Sequence, residues 1–232
     1  MREPRQKKAL IIGATGLVGK QLLSLLLEDD RYEKVIAIGR RMSDVKHPKL
    51  HEVVTSFDRL DTVSFDYSID DAFCCLGTTM KKAKHKEAFY KVDFTYVQYF
   101  AEVAQRHQVR TFSVVSASMA KKNSVFYYNR VKGMMEDMLK GIKFDRLVIL
   151  RPSLLLGDRE EVRLGEDLGK FLVGILGFML PDRFKGIRVE QVAQAMFFAV
   201  NTLSSKTSHV EVLESEKIKL LASAMNTEEV LD

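Results

Sequence analysis

Proline is scarce in this chain of 232 residues and cysteine scarcer: four prolines, thirteen glycines and two cysteines. So few prolines and glycines exclude a linker-rich chain. Hydrophobic (46%) and charged (29%) fractions near the globular average exclude disordered and fibrous classes. The two cysteines are neighbours, Cys74 and Cys75, which cannot staple a fold. That suits a reducing compartment, and MREPRQKKALIIGATG carries no secretory signal, so a cytoplasmic protein is expected. No apolar run reaches the ~20 residues of a spanning helix. The longest, FLVGILGFML at 171–180, reads as a buried cap helix in preference to a membrane-surface one. His47, His51, His85, His107 and His209 show no metal-ligand spacing with one another or with the cysteines, and no metal is expected.

The net charge of +5 is local. Arg2, Arg5, Lys7 and Lys8 make residues 1–8 a basic tail, and Lys81, Lys82, Lys84 and Lys86 form one run after a strand. Without these two clusters the chain is slightly acidic. A nucleic-acid binder spreads its cations along a face, so nucleic acid is not an expected partner. The lysine run reads as a solvated loop or helix start.

Short apolar runs alternate with helical patterns. ALIIG (9–13), KVIAIG (34–39), HEVV (51–54), DAFCCLG (71–77), TFSVVS (111–116) and RLVILRP (146–152) read as strands covered on both faces. Val18, Leu22, Leu25 and Leu26 share one helix face; Phe89 to Val103, about Tyr127 to Lys140, and Val189 to Asn201 read as further helices. The aromatics between Phe89 and Phe100 exceed one core face and suggest a subunit contact, so an oligomer is possible. This alternation predicts a doubly wound α/β fold, a parallel sheet with helices on both faces. One domain is expected over 9–232, with 152–190 forming a small cap on the substrate side.

The first strand runs straight into Gly13-Ala14-Thr15-Gly16-Leu17-Val18-Gly19 and then into an amphipathic helix. The three glycines serve a tight turn, close approach of backbone to a pyrophosphate, and helix–strand packing. The helix start offers amides and a positive dipole end to the phosphates. Such spacing is weak alone, but its strand–turn–helix setting is the one dinucleotide binding needs. The second strand ends in Arg40-Arg41, where NAD sites usually carry an acid for the ribose hydroxyl. Guanidinium groups there fork onto a 2′-phosphate, so NADP(H) is favoured over NAD(H).

Strand five ends at Val115-Ser116-Ala117-Ser118, and Tyr128-Asn129-Arg130-Val131-Lys132 follows. Tyrosine and lysine at i and i+4 share a helix face, whereas Tyr127 lies off it. A nearby ammonium lowers a phenol's pKa from its usual ~10 and suits it to proton transfer. Tyr-x-x-x-Lys alone is commonly a solvated helix pair; its company with the glycine turn and a strand-end serine gives it weight.

Together these residues resemble the short-chain dehydrogenase/reductase superfamily. CCLGTT (74–79), KFDRLVILRPSLLLGDREEVRLGE (143–166) and GRR (39–41) are similar to its atypical branch of Tat-interacting-protein-like oxidoreductases, over roughly residues 9–200. The resemblance implies a Rossmann fold binding NADPH. By position it implies cofactor contacts at the glycine turn, Arg40, Arg41, Leu76, Gly77, Tyr128, Lys132, Leu155 and Arg163. It gives Tyr128 proton transfer and Lys132 the nicotinamide ribose. Three positions depart from the pattern: Ser56 where relatives often have an aspartate for the adenine amine, Asp93 where many have an asparagine, and Ala117 in the serine pair. The last leaves Ser116 or Ser118 to orient substrate. The expected activity is NADPH-dependent reduction of a small carbonyl compound, or alcohol oxidation in reverse. The competing reading is a protein that senses NADPH without turnover. Sugar-nucleotide epimerisation ranks third, because only 80 residues follow Pro152.

Overall fold

The computed structural model describes residues 6–156, 186–202 and 210–228. A seven-stranded sheet lies at its centre, with every neighbouring pair parallel. Six of its strands match the expected ones within two residues at either end, apart from β4: β1 (Lys7–Ile12), β2 (Tyr32–Gly39), β3 (Leu50–Val54), β4 (Asp71–Cys74), β5 (Thr111–Val115) and β6 (Arg146–Arg151). β1 therefore starts inside the expected basic tail. β4 stops at Cys74, and Cys75 to Gly77 turn out of the sheet. A separate parallel pair joins β7 (Leu155–Leu156) to β8 (Ile187–Arg188). The seventh strand of the main sheet, β9 (Val210–Glu214), is one the apolar pattern does not announce.

Strand order is β3-β2-β1-β4-β5-β6-β9, so the winding reverses between β1 and β4. In such sheets the loops leave that point in opposite directions and open a crevice beyond the strand C-termini. The sheet is a Rossmann-type doubly wound fold, as expected.

Alternation along each strand builds two cores. Ala9, Ile11, Val35, Ala37 and Phe73 pack on one face against α1 (Leu17–Glu28), α6 (Val189–Thr202) and α7 (Ser215–Glu228). Leu10, Ile12, Ile36, Ile38 and Cys74 pack on the other against α4 (Tyr96–Arg106) and α5 (Tyr127–Gly141). Each buried leucine or isoleucine here contributes about 1.5–3 kcal/mol.

The helix expected over Phe89 to Val103 is not continuous. The chain forms α2 (Met80–Ala83), α3 (Lys86–Tyr90), a π turn (Lys91–Thr95) and only then α4. A π turn inserts a residue into the helical register and rotates the face that follows. The aromatics are distributed accordingly: Phe89 and Phe100 are fully buried, Tyr90 stacks on Phe94 at 4.7 Å, and Tyr96 meets Phe57 edge-on at 5.4 Å. Tyr90, Phe94, Tyr96 and Tyr99 stay half-buried. The expected cap helix FLVGILGFML and Arg163 lie outside the described residues.

Candidate functional site

At the end of β1 the chain turns so sharply that only glycine fits. Gly13 has φ of +81°, and a Cβ there would stand 2.7 Å from the Cys75 carbonyl carbon and oxygen. Gly19, in the first turn of α1, backs onto the same residue. Gly16 is the N-cap of α1; its N–H donates to the Gly13 carbonyl at 2.9 Å, and no side chain caps the helix. The helix thus begins with amides that no capping side chain satisfies, at its positive dipole end.

Gly13 to Gly16 line one wall of a cleft of about 790 Å³, within the range of small-molecule and cofactor sites. It continues to Arg40, Arg41 and Ser43 after β2 and to Leu76, Gly77 and Thr78 after β4. Both arginines are exposed, and the Arg40 guanidinium lies 5.5 Å from the centre of the Phe57 ring. The sequence reading missed Glu52 of β3, which also lines the cleft and whose carboxylate accepts the Ser43 N–H at 2.6 Å. Ser56, the departure at the adenine position, accepts the Asp58 N–H at 3.3 Å and caps a 3-10 turn. Val18 is buried in the core, and Leu17 packs half-buried against it. Leu155 is half-buried in β7.

Tyr128 and Lys132 lie one turn apart at the start of α5, with the Phe89 ring against Tyr128 at 5.4 Å between centroids. Tyr127, off their face, donates from its hydroxyl to the Lys86 carbonyl at 2.9 Å. Lys132 is buried, and its Nζ stands 2.8 Å from Oδ1 of Asp93, which the π turn carries to this point. The two form a buried ion pair. Asp93 Oδ2 accepts the Thr78 N–H at 2.9 Å, and the Lys132 ammonium donates to the Val115 carbonyl at 3.4 Å. Burial works against the Lys132 charge. The Asp93 carboxylate and the Tyr128 phenol outweigh it and hold Lys132 above its ordinary proton affinity. A Cβ on Gly77 would stand 3.5 Å from Asp93 Oδ1 and 3.8 Å from Lys132 Nζ. Gly77 thus joins the cleft to the ion pair.

The two serines divide. Ser116 is 4% exposed and its hydroxyl donates to Glu136 Oε1 at 2.5 Å. Glu136 in turn receives Arg151 on both oxygens, at 3.0 and 2.6 Å, which ties α5 to β6. Ser118 is half-buried, its N–H donates to the Pro152 carbonyl at 3.0 Å, and among the described residues its hydroxyl has no hydrogen-bond partner.

These residues fit an anionic dinucleotide: a turn that any Cβ would fill, an uncapped helix start, and two arginines at the far end of the same cleft. The NAD dependent epimerase/dehydratase family model matches residues 9–166. Protein HTATIP2 of Rattus norvegicus is 36% identical over 219 residues, covering 92% of this chain and 88% of that protein. "Protein FMP52-2, mitochondrial" of Scheffersomyces stipitis is 34% identical over 94% of this chain and 98% of its own. Among solved structures, the Bordetella bronchiseptica enzyme WbmH in complex with NAD+ shares the fold with a TM-score of 0.67. It is 18% identical and covers 98% of this chain and 83% of that one.

The fungal names overturn the expected cytoplasmic location. Three fungal relatives at 34% identity are named mitochondrial proteins. Two unpaired cysteines separate reducing from oxidising compartments, and nothing finer.

Proposed function

The chain belongs to the NAD dependent epimerase/dehydratase family, and from that premise we propose that it is an NADPH-dependent reductase of a small carbonyl compound. Binding of a nicotinamide dinucleotide and short-chain dehydrogenase/reductase-type oxidoreductase chemistry belong to the family. The preference for NADPH, the carbonyl substrate and the residue roles are this proposal. Its main support is one observation: Lys132, one helical turn from Tyr128, lies buried directly behind Gly77, a residue that lines the glycine-turn cleft.

The cofactor, when bound, supplies hydride to the substrate carbon. Amides of the glycine turn and of the first turn of α1 bind the diphosphate, and Arg40 and Arg41 bind the 2′-phosphate. Tyr128 delivers its phenolic proton to the carbonyl oxygen. Lys132 holds the nicotinamide ribose and steadies the phenol's charge. Ser118 orients the substrate oxygen, because the Ser116 hydroxyl is already given to Glu136. The acid opposite β2, Glu52, is engaged by the Ser43 amide, which weakens its claim on a ribose hydroxyl.

The test is Tyr128→Phe, assayed by NADPH oxidation with a panel of aldehydes, ketones and quinones. Turnover should drop about 10²–10⁴-fold while NADPH binding persists. Turnover that survives the substitution overturns the mechanism. One observation favours a second reading, a cofactor sensor with little turnover: Asp93 pairs with Lys132 and blunts the ammonium's pull on the phenol. A parent protein that binds NADPH yet leaves every carbonyl compound untouched would establish that reading.

A further inference from the structure

Two opposite charges are buried together under Gly77. Asp93 is fully buried and the Lys132 side chain is 4% exposed. A lone cation at such a depth sheds its proton or finds a partner. Among the described residues Asp93 is the one carboxylate in contact with Lys132. Glu136, one turn further along α5, is occupied by Arg151 and Ser116. From β4 the Cys74 thiol also faces Lys132, but burial pushes it up to about 12, so it stays neutral. From β5 only the Val115 carbonyl reaches the ammonium, and from α3 the neutral Phe89 ring packs on Tyr128.

We propose that Asp93 is a positioning residue whose carboxylate, paired with Lys132, sets the pH at which the Tyr128–Lys132 couple gives up a proton. This rests on the reading of Tyr128 as proton donor and deepens it. With Asp93 charged, the cluster of carboxylate, ammonium and phenol is neutral and keeps both of its protons. Without that charge the cluster carries a buried positive charge, and the couple releases one proton more easily, from ammonium or phenol. The two titrate together, so the release belongs to the pair. Asp93 also fixes where the couple stands. Its second oxygen holds the Thr78 amide, so the loop after β4, the π turn and α5 are joined at one carboxylate. The π turn thereby places a buried charge-balancing group behind Gly77 from 39 residues before the lysine it serves.

Asp93→Asn keeps the shape and removes the charge. Tyr128 is followed by tyrosinate absorbance with a Tyr128→Phe background subtracted, and Lys132 by the NMR signal of isotope-labelled lysine, from neutral to strongly alkaline pH. Loss of a close opposite charge shifts such groups by about 1–3 pH units. The couple of Asp93→Asn should therefore release its first proton at least about one unit lower than the parent's. A fold-supporting role alone would leave the titration where it was, and an unshifted couple in a folded variant overturns the proposal. If Asp93→Asn does not fold, Asp93→Asn/Lys132→Met decides. Removing both partners should restore cooperative unfolding that Asp93→Asn lacks; a double variant that is no better folded than Asp93→Asn overturns the coupling. None of these measurements needs a substrate. Retained turnover in Tyr128→Phe would sink the donor reading and leave the titration result standing.

Discussion

Gly19 backs onto Gly13 so closely that a Cβ on Gly19 would lie 2.1 Å from the Gly13 carbonyl oxygen. Backbone meets backbone there, so neither side can yield by turning a side chain. Gly19→Ala should lower stability by about 1–3 kcal/mol, the usual range for overpacking, and weaken dinucleotide binding as the turn opens. Urea denaturation with paired NADPH titrations measures both. An alanine variant with the parent's midpoint and affinity would mean that the turn is slack.

Arg40 and Arg41 lie at the far end of the cleft from Gly77. A hydrogen bond to a charged group contributes about 1.5–3 kcal/mol, roughly ten- to a hundredfold in affinity. Arg40→Ala should therefore raise the NADPH dissociation constant by about that factor and change the NADH constant little. Equal losses for both cofactors would assign Arg40 to general charge attraction.

Ser116 and Ser118 separate by readout. Ser116→Ala removes a buried hydrogen bond to Glu136 and should cost about 1.5–3 kcal/mol of stability, with NADPH affinity unchanged. Ser118→Ala should leave stability nearly unchanged and reduce turnover. Thermal unfolding alongside carbonyl-dependent NADPH oxidation distinguishes them, and the reverse pattern would return the orienting role to Ser116.

Burial pushes the Cys74 thiol up to about 12 and raises Cys75 as well. A raised thiol pKa leaves the protonated, unreactive form dominant at pH 8, with a Cys74 thiolate fraction of about 10⁻⁴. A disulfide reagent at that pH should leave the buried Cys74 unlabelled in the native chain and label it after unfolding. Rapid native labelling of Cys74 would place it at the surface.

Much of this architecture is legible in the residues. The β-branched runs give six strands because strands covered on both faces read as continuous apolar stretches. The glycine turn is legible because φ of +81° and backbone contact leave no other residue type. β9 escapes notice because VEVLE, at the sheet edge, is half-exposed and alternates with charge. The π turn escapes because one extra residue barely alters the apolar count between Phe89 and Val103, yet it decides where Asp93 points. Sequence spacing could nominate Ser116 at a strand end; only the fold shows its hydroxyl given to Glu136, twenty residues away. The same holds for Asp93 and Lys132, whose pairing depends on the packing of α5 against the π turn.

Calorimetric titration of the chain with NADPH, NADP+, NADH and NAD+ bears most directly on the reading of the cleft. A dinucleotide held by the amides of α1 and by Arg40 and Arg41 should give saturable heat, tighter for the two phosphorylated forms. No heat and no saturation with any of the four would contradict both the reductase and the sensor.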